Sequence, residues 1–131
     1  MNVEIRDARF TAVVGDDVAF EQLGSGFDFT EGPVWQPATE TLTFSDMPGN
    51  HMRSWNAGQG ITTFRQPSNM ANGNAYDGAG RLVTCEHATS RVSRTEHDGS
   101  ITVLASHHGD KELNSPNDII VKQDGAIYFS D

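Results

Sequence analysis

Cysteine, basic charge, long apolar runs and helical periodicity are all scarce in this chain, and each scarcity excludes something. One cysteine in 131 residues rules out an internal disulfide framework and a paired-cysteine zinc site. That residue, Cys85, sits in the apolar stretch Leu82-Val-Thr-Cys85 and reads as a buried strand thiol rather than a nucleophile. Nine Lys and Arg against 18 Asp and Glu give a net charge of -9. With no basic run to interrupt it, a phosphate backbone would be repelled, so no nucleic-acid partner is expected. No apolar stretch approaches the ~20 residues that span a bilayer, and the start Met-Asn-Val-Glu-Ile-Arg lacks the charged-then-apolar pattern of a signal peptide. A cytoplasmic location without a membrane partner is expected. Only residues 8–14, Ala-Arg-Phe-Thr-Ala-Val-Val, match a helical pattern, for a turn or two.

What the chain does have is glycine, short strand-like runs and a repeat. With the 13 glycines added to 36% apolar residues, the composition approaches the ~45 to 50% usual for globular proteins. Three segments align on Trp35, Tyr76 and Val121: Glu31-Gly-Pro-Val-Trp through Ser45-Asp46, Asn72-Gly-Asn-Ala-Tyr through Cys85-Glu86, and Asn117-Asp-Ile-Ile-Val through Ser130-Asp131. Each opens on a side-chain carbonyl or carboxylate, runs through a short strand, turns at Gly or Pro, and returns through an apolar strand to an acid. Short strands repeating every ~40 to 50 residues specify β-propeller blades. The fold class expected is therefore all-β, with about two and a half blades present.

The units divide as 1–26 for an N-terminal segment, 27–66 for the first blade, 67–105 for the second and 106–131 for the first hairpin of a third. In the first blade the expected strands are 32–36, 41–45, 51–56 and 61–64; in the second, 91–96 and 100–104 follow the inner pair; in the third, 118–122 and 126–130. Residues 18–23 alternate apolar and polar like a strand and stand where many propellers close the ring. Residues 66–71 and 105–116 read as loops, with His107-His108 solvated. Since propellers need ~4 to 8 blades, the chain is read as roughly the first half of a longer protein.

Antiparallel pairing sorts the polar residues, because the start of a first strand and the end of its second share one edge of the sheet. Glu31, Asn72 and Asn117 start inner strands while Asp46, Glu86 and Asp131 end second strands, so all six are expected around one mouth of the central channel. Converging oxygens of this kind suit a hard divalent cation, for which Ca²⁺ takes ~6 to 8. Asn72 alone reads as a turn residue bonding its own backbone. Glu31 does not, since Glu is no turn residue. Asp46 and Asp131 read first as caps on loop amides, and Glu86 stands between the two roles. His87, next to Glu86, can exchange a proton near neutral pH or simply pack beside the loop. Asn72, Glu86, His87 and Asn117 are the candidate substrate contacts. Trp35, Trp55, Phe44, Phe64 and Phe129 read as blade packing.

Phe29-Thr-Glu-Gly-Pro-Val-Trp35, Gly80-Arg-Leu-Val-Thr-Cys-Glu-His87, Asn114-Ser-Pro-Asn-Asp118 and Asp124-Gly-Ala-Ile-Tyr-Phe-Ser-Asp131 together resemble the gluconolactonase branch of the senescence marker protein (regucalcin) and gluconolactonase family, over residues ~27 to 131. The resemblance implies a six-bladed propeller that holds one divalent cation, Ca²⁺ first with Zn²⁺, Mg²⁺ or Mn²⁺ as alternatives, and hydrolyses a small-molecule lactone. It implies that Glu31 is a metal ligand and that Asn117 is a metal or substrate contact. It places the general-base Asp and the remaining ligands beyond residue 131, so that no catalytic residue is expected within the chain and the chain by itself is expected to be inactive. A basic substrate contact that some relatives carry two positions before the Asn is Ser115 here. The alternative is a propeller used as a non-catalytic binding module, or an inactive truncated chain. The oligomeric state is left open.

Overall fold

The computed structural model describes residues 3–15 and 18–131; of the expected 1–26 segment, residues 1, 2, 16 and 17 lie outside these. A 3₁₀ turn at Ala8–Phe10, capped by the Asp7 carboxylate, leads into the four-residue helix α1 (Thr11–Val14). The rest of the regular structure is antiparallel strand. The first blade orders β1 (Thr30–Gln36), β2 (Thr41–Asp46), β3 (His51–Asn56) and β4 (Gly60–Arg65) side by side. The second repeats the pattern with β5 (Ala71–Tyr76), β6 (Leu82–Glu86), β7 (Arg91–Thr95) and β8 (Ile101–Ala105). A ribbon of β9 (His107–His108) and β10 (Lys111–Glu112) precedes the hairpin β11 (Ile119–Val121) and β12 (Ile127–Phe129).

The repeat holds at the level of single ladder partners. Trp35 faces Leu42, Tyr76 faces Leu82 and Val121 faces Ile127, so the three centres aligned in sequence are equivalent in register. Even the irregularities recur. Both inner strands bulge near their starts, between Glu31 and Val34 in β1 and between Ala71 and Asn74 in β5, where Gly-Pro and Asn-Gly interrupt regular pairing. Both blades bulge again where the third strand meets the fourth, at Met52/Arg53 and at Val92/Ser93.

Blades pack face to face through small clusters. Met52, Ala71 and Leu82, with Val34 and Tyr76 against them, fill the joint between the first two blades. Val83, Cys85, Val92 and Ile119 fill the next joint, flanked by Leu104, Ile127 and Phe129. Strand β6 is covered on both faces and buried at all five positions, which is why its sequence is almost continuously apolar up to Glu86. Burial pushes the Cys85 thiol up to about 12, with the Asp118 and Asp131 charges adding to it, as befits a structural cysteine.

Three expectations change. Residues 18–23 form no strand: alternation assigns a face but not a partner, and among the described residues no strand edge lies beside them. The residues that follow lie against the first blade instead, where the Phe27 ring meets Phe44 edge-on at 5.3 Å and Gly24 lies tight against Ile61. The 105–116 stretch is not all loop, because His107 pairs with Glu112 and His108 with Lys111, although both histidines remain exposed. Trp35 and Phe64 are not packed inside, being 47% and 41% exposed, since they lie on the first and last strands of their blade, each with a neighbour on one side only. No helix is long and apolar enough to cross a membrane among the described residues.

Candidate functional site

The starts of the three inner strands are stitched into one row. The Asn72 carbonyl accepts from Ser45 Oγ at 2.8 Å and from Asn74 Nδ2 at 2.9 Å. The same Nδ2 lies 3.0 Å from the Gly32 carbonyl and 2.9 Å from Ser45 Oγ. One step on, Gly73 N–H donates to the Asn117 carbonyl at 2.7 Å. Glycine makes this closeness possible twice: a Cβ on Gly32, whose φ is +52°, would collide with the Asn72 carbonyl, and one on Gly73 would lie 2.5 Å from the Asn117 carbonyl oxygen. Glu31, Asn72 and Asn117 therefore begin neighbouring strands at the same edge, and the hairpin turns lie at the other.

The three strand-end acids do two different things at one equivalent position. Asp46 Oδ1 accepts from the amides of Asp28 and Phe29 at 3.0 and 3.2 Å, and Asp131 accepts from those of Asn114 and Ser115 at 2.9 and 2.8 Å; both are caps, as their sequence context suggests. Glu86, expected as a substrate contact, is instead turned into the joint between blades and is fully buried. Its Oε1 accepts from Arg65 and Ser93, and its Oε2 from Asn69, Thr89 and Arg91. Burial alone would raise this carboxyl, but the bonds from Ser93, Arg91, Thr89 and Asn69 outweigh it and hold it below the ordinary carboxylate range. Five donors leave it no lone pair for a ligand.

His87, directly after this clamp, lies at the strand-start edge, with Nε2 3.2 Å from Asn72 Nδ2. Asn72 is 5% exposed. The structure thus brings Glu31, Asn72, His87 and Asn117 to one edge and removes Glu86, Asp46 and Asp131 from ligand duty. Asn74 was not anticipated. Its Oδ1 accepts from Thr84 Oγ1 at 2.9 Å while its amide ties two blades together, and the available signal was a polar amide inside a strand, where Asn is disfavoured.

The implied cation can be tested on the donor set. No group of three or more His, Cys, Asp or Glu side chains gathers in metal-binding proximity among the described residues, so a site here would be made mostly of neutral oxygens around few charges. Glu31 and Asn117 fit that: their side chains accept no hydrogen bond from the described residues, and carboxylate and amide carbonyl are both hard-cation ligands. They are at most two of the ~6 to 8 oxygens that Ca²⁺ takes.

The family model described as SMP-30/Gluconolactonase/LRE-like region matches residues 29–131. A gluconolactonase of Zymomonas mobilis is 28% identical over 137 residues, an alignment covering 94% of this chain and 38% of that protein. A solved gluconolactonase structure from Xanthomonas campestris superposes with a TM-score of 0.80 at 38% identity, over 83% of this chain and 37% of that one. Virginiamycin B lyase of Staphylococcus aureus, at 17% identity and a TM-score of 0.62 over 77% of this chain and 34% of its own, shares the propeller fold. The chain spans well under half the length of each.

Proposed function

Since the chain belongs to the SMP-30/Gluconolactonase/LRE-like family, we propose that it forms part of a divalent-metal-dependent lactonase acting on sugar lactones. The observation that carries this reading is the row of strand starts in which Glu31 and Asn117 stand with unclaimed oxygens beside the Asn72–His87 pair. In that role Glu31 and Asn117 are metal ligands, with Ca²⁺ the expected ion, and Asn117, Asn72 and His87 face the substrate. When bound, the ion supplies Lewis-acid polarisation of the lactone carbonyl. The chain's own part is to hold the ligand oxygens in register. Ser45, Asn74 and Gly73 do so by fixing the backbone beneath them, and the glycines let neighbouring strand starts approach closely enough to share one ligand. The proton-accepting carboxylate belongs, on this reading, to a later unit of the ring.

The test is lactone opening by the full-length protein, followed by acid release in weak buffer. A chelator should abolish turnover and Ca²⁺ restore it, and Glu31→Gln should weaken calcium binding at least tenfold while leaving the unfolding midpoint nearly unchanged, because Glu31 supports no internal bond. Undiminished turnover in chelated protein would end the metal assignment. No turnover on any lactone, with small molecules still bound, would favour a non-catalytic binding propeller.

A further inference from the structure

Asn72 is buried except at its tip, and one of its two amide atoms is already committed. Its Nδ2 has only hydrogens to give, so His87 Nε2 must receive one and the neutral imidazole must carry its own proton on Nδ1. Its Oδ1 is neither bonded nor sealed from solvent among the described residues. An asparagine amide can turn over and exchange these two atoms, and what the mouth then meets would change from an acceptor to a donor. Within the Asn72–His87 pair, an Nδ1-protonated ring accepts from Nδ2 and an Nε2-protonated ring would donate to Oδ1. The ring in turn is placed by its neighbour, since Glu86 is locked by Arg65, Arg91, Asn69, Thr89 and Ser93, and His87 N–H is tied to the Met70 carbonyl at 3.2 Å.

We propose that His87 is a positioning residue that holds the Asn72 amide with Oδ1 presented to the mouth, making Asn72 an acceptor for a substrate hydroxyl and a determinant of preference for hydroxylated over unsubstituted lactones. The substrate half of this rests on the lactonase reading above; the pairing half does not. With Nδ2 held by His87, the unbonded and solvent-reachable Oδ1 makes Asn72 an acceptor, which a hydroxyl donor satisfies and a bare hydrocarbon ring leaves unpaired. A site built to bond a hydroxyl discriminates strongly against an analogue lacking it.

Two measurements decide it. Long-range ¹H–¹⁵N spectra of the histidine rings in the chain should show neutral His87 protonated on Nδ1, and Asn72→Ala should release that selection; an Nε2-protonated ring in the unsubstituted protein overturns the pairing. In the full-length protein, His87→Ala should raise KM for an aldonolactone roughly two- to tenfold, the range for one lost neutral hydrogen bond, with the loss in KM rather than kcat and with KM for an unsubstituted δ-lactone unmoved. His87→Gln, whose carbonyl can accept from the same amide, should recover most of it and guards against misfolding of the alanine variant. Equal shifts for both lactones, or none, overturn the role in specificity. A parent protein that opens no lactone would defeat the proposed activity and the hydroxyl role with it, while the nitrogen spectrum would still judge the pair.

Discussion

Replacing Glu86 by Gln should destabilise the protein by about 3 kcal/mol, although the shape of the side chain barely changes. The carboxylate is fully buried and its charge faces two guanidinium groups, Arg65 Nη2 at 3.1 Å and Arg91 Nε at 2.7 Å. Burial holds the Arg65 guanidinium below its usual range despite the pull of Glu86, so removing that pull leaves a desolvated cation. Breaking a buried pair costs ~3 to 5 kcal/mol. The lower end applies because Arg65 and Arg91 side chains retain 14% and 26% exposure and can recover some hydration. Gln also turns an NH₂ group toward a shell made entirely of donors. Urea unfolding at pH 7 should show the loss as a lower midpoint at constant slope, and Arg65→Met should couple with it rather than add, the two being in contact. The pH dependence has a definite sign. A carboxyl whose folded-state pKa is depressed contributes its stability above the unfolded value of ~4.3 and loses it as pH falls from there toward the folded value. The unsubstituted protein should therefore weaken more steeply than Glu86→Gln below about pH 4.3, and the gap between them should close in acid. A neutral-pH difference under about 1 kcal/mol, within the range of an exposed pair, would refute the clamp.

The remaining expectations concern the joints and the row. Asn74→Ala removes an amide shared by Gly32, Ser45 and Asn72 and strands the Thr84 hydroxyl, so it should cost ~1 to 3 kcal/mol in urea unfolding, as for a buried polar group left unsatisfied. Gly32→Ala meets both a positive φ and the Asn72 carbonyl, and should lose more than the ~1 kcal/mol of a simple backbone effect while lowering calcium affinity; a neutral result would mean that the first two strand starts are further apart than described. Cys85 should resist thiol reagents at pH 8 and react only on unfolding, because the thiol is buried and pushed up to about 12; rapid labelling of folded protein would contradict the packing of the second joint.

The blade register was legible because it repeats in three independent places: an aromatic or branched centre, an acid four positions after its ladder partner, and an amide or carboxyl four positions before it. Each copy checks the others, and all agree with the observed pairs. Features that occur once had no such check. Residues 18–23 alternate as a strand should, yet alternation reports only that one face is apolar, and without a ladder Phe20 stays 64% exposed while Leu23 lines a cavity on the first blade. The His107–Glu112 ribbon is too short for any period to reveal. The donors around Glu86 come from two strands, a connector and a turn of two blades, and nothing in the local sequence of Glu86 announces that Arg65 and Asn69 will reach it.

Equivalence in a repeat fixes where a side chain starts, not what it does. Asp46, Asp131 and Glu86 end corresponding strands, and the difference between them is one methylene and the company it reaches. Aspartate is short enough to bond only the loop amides beside it, which is what Asp46 and Asp131 do. Glutamate extends past the loop to the guanidinium groups of Arg65 and Arg91, and so becomes the pin of the joint rather than part of the mouth. The inner-strand starts divide in the same way. The side-chain oxygens of Glu31 and Asn117 accept no hydrogen bond among the described residues, whereas Asn72 is claimed by the histidine that follows the pin. A conservative exchange tests the point: Glu86→Asp keeps the charge and shortens the reach, so it should lose the Arg65 bond and approach Glu86→Gln in stability if reach assigns the role, and stay near the unsubstituted protein if charge alone does.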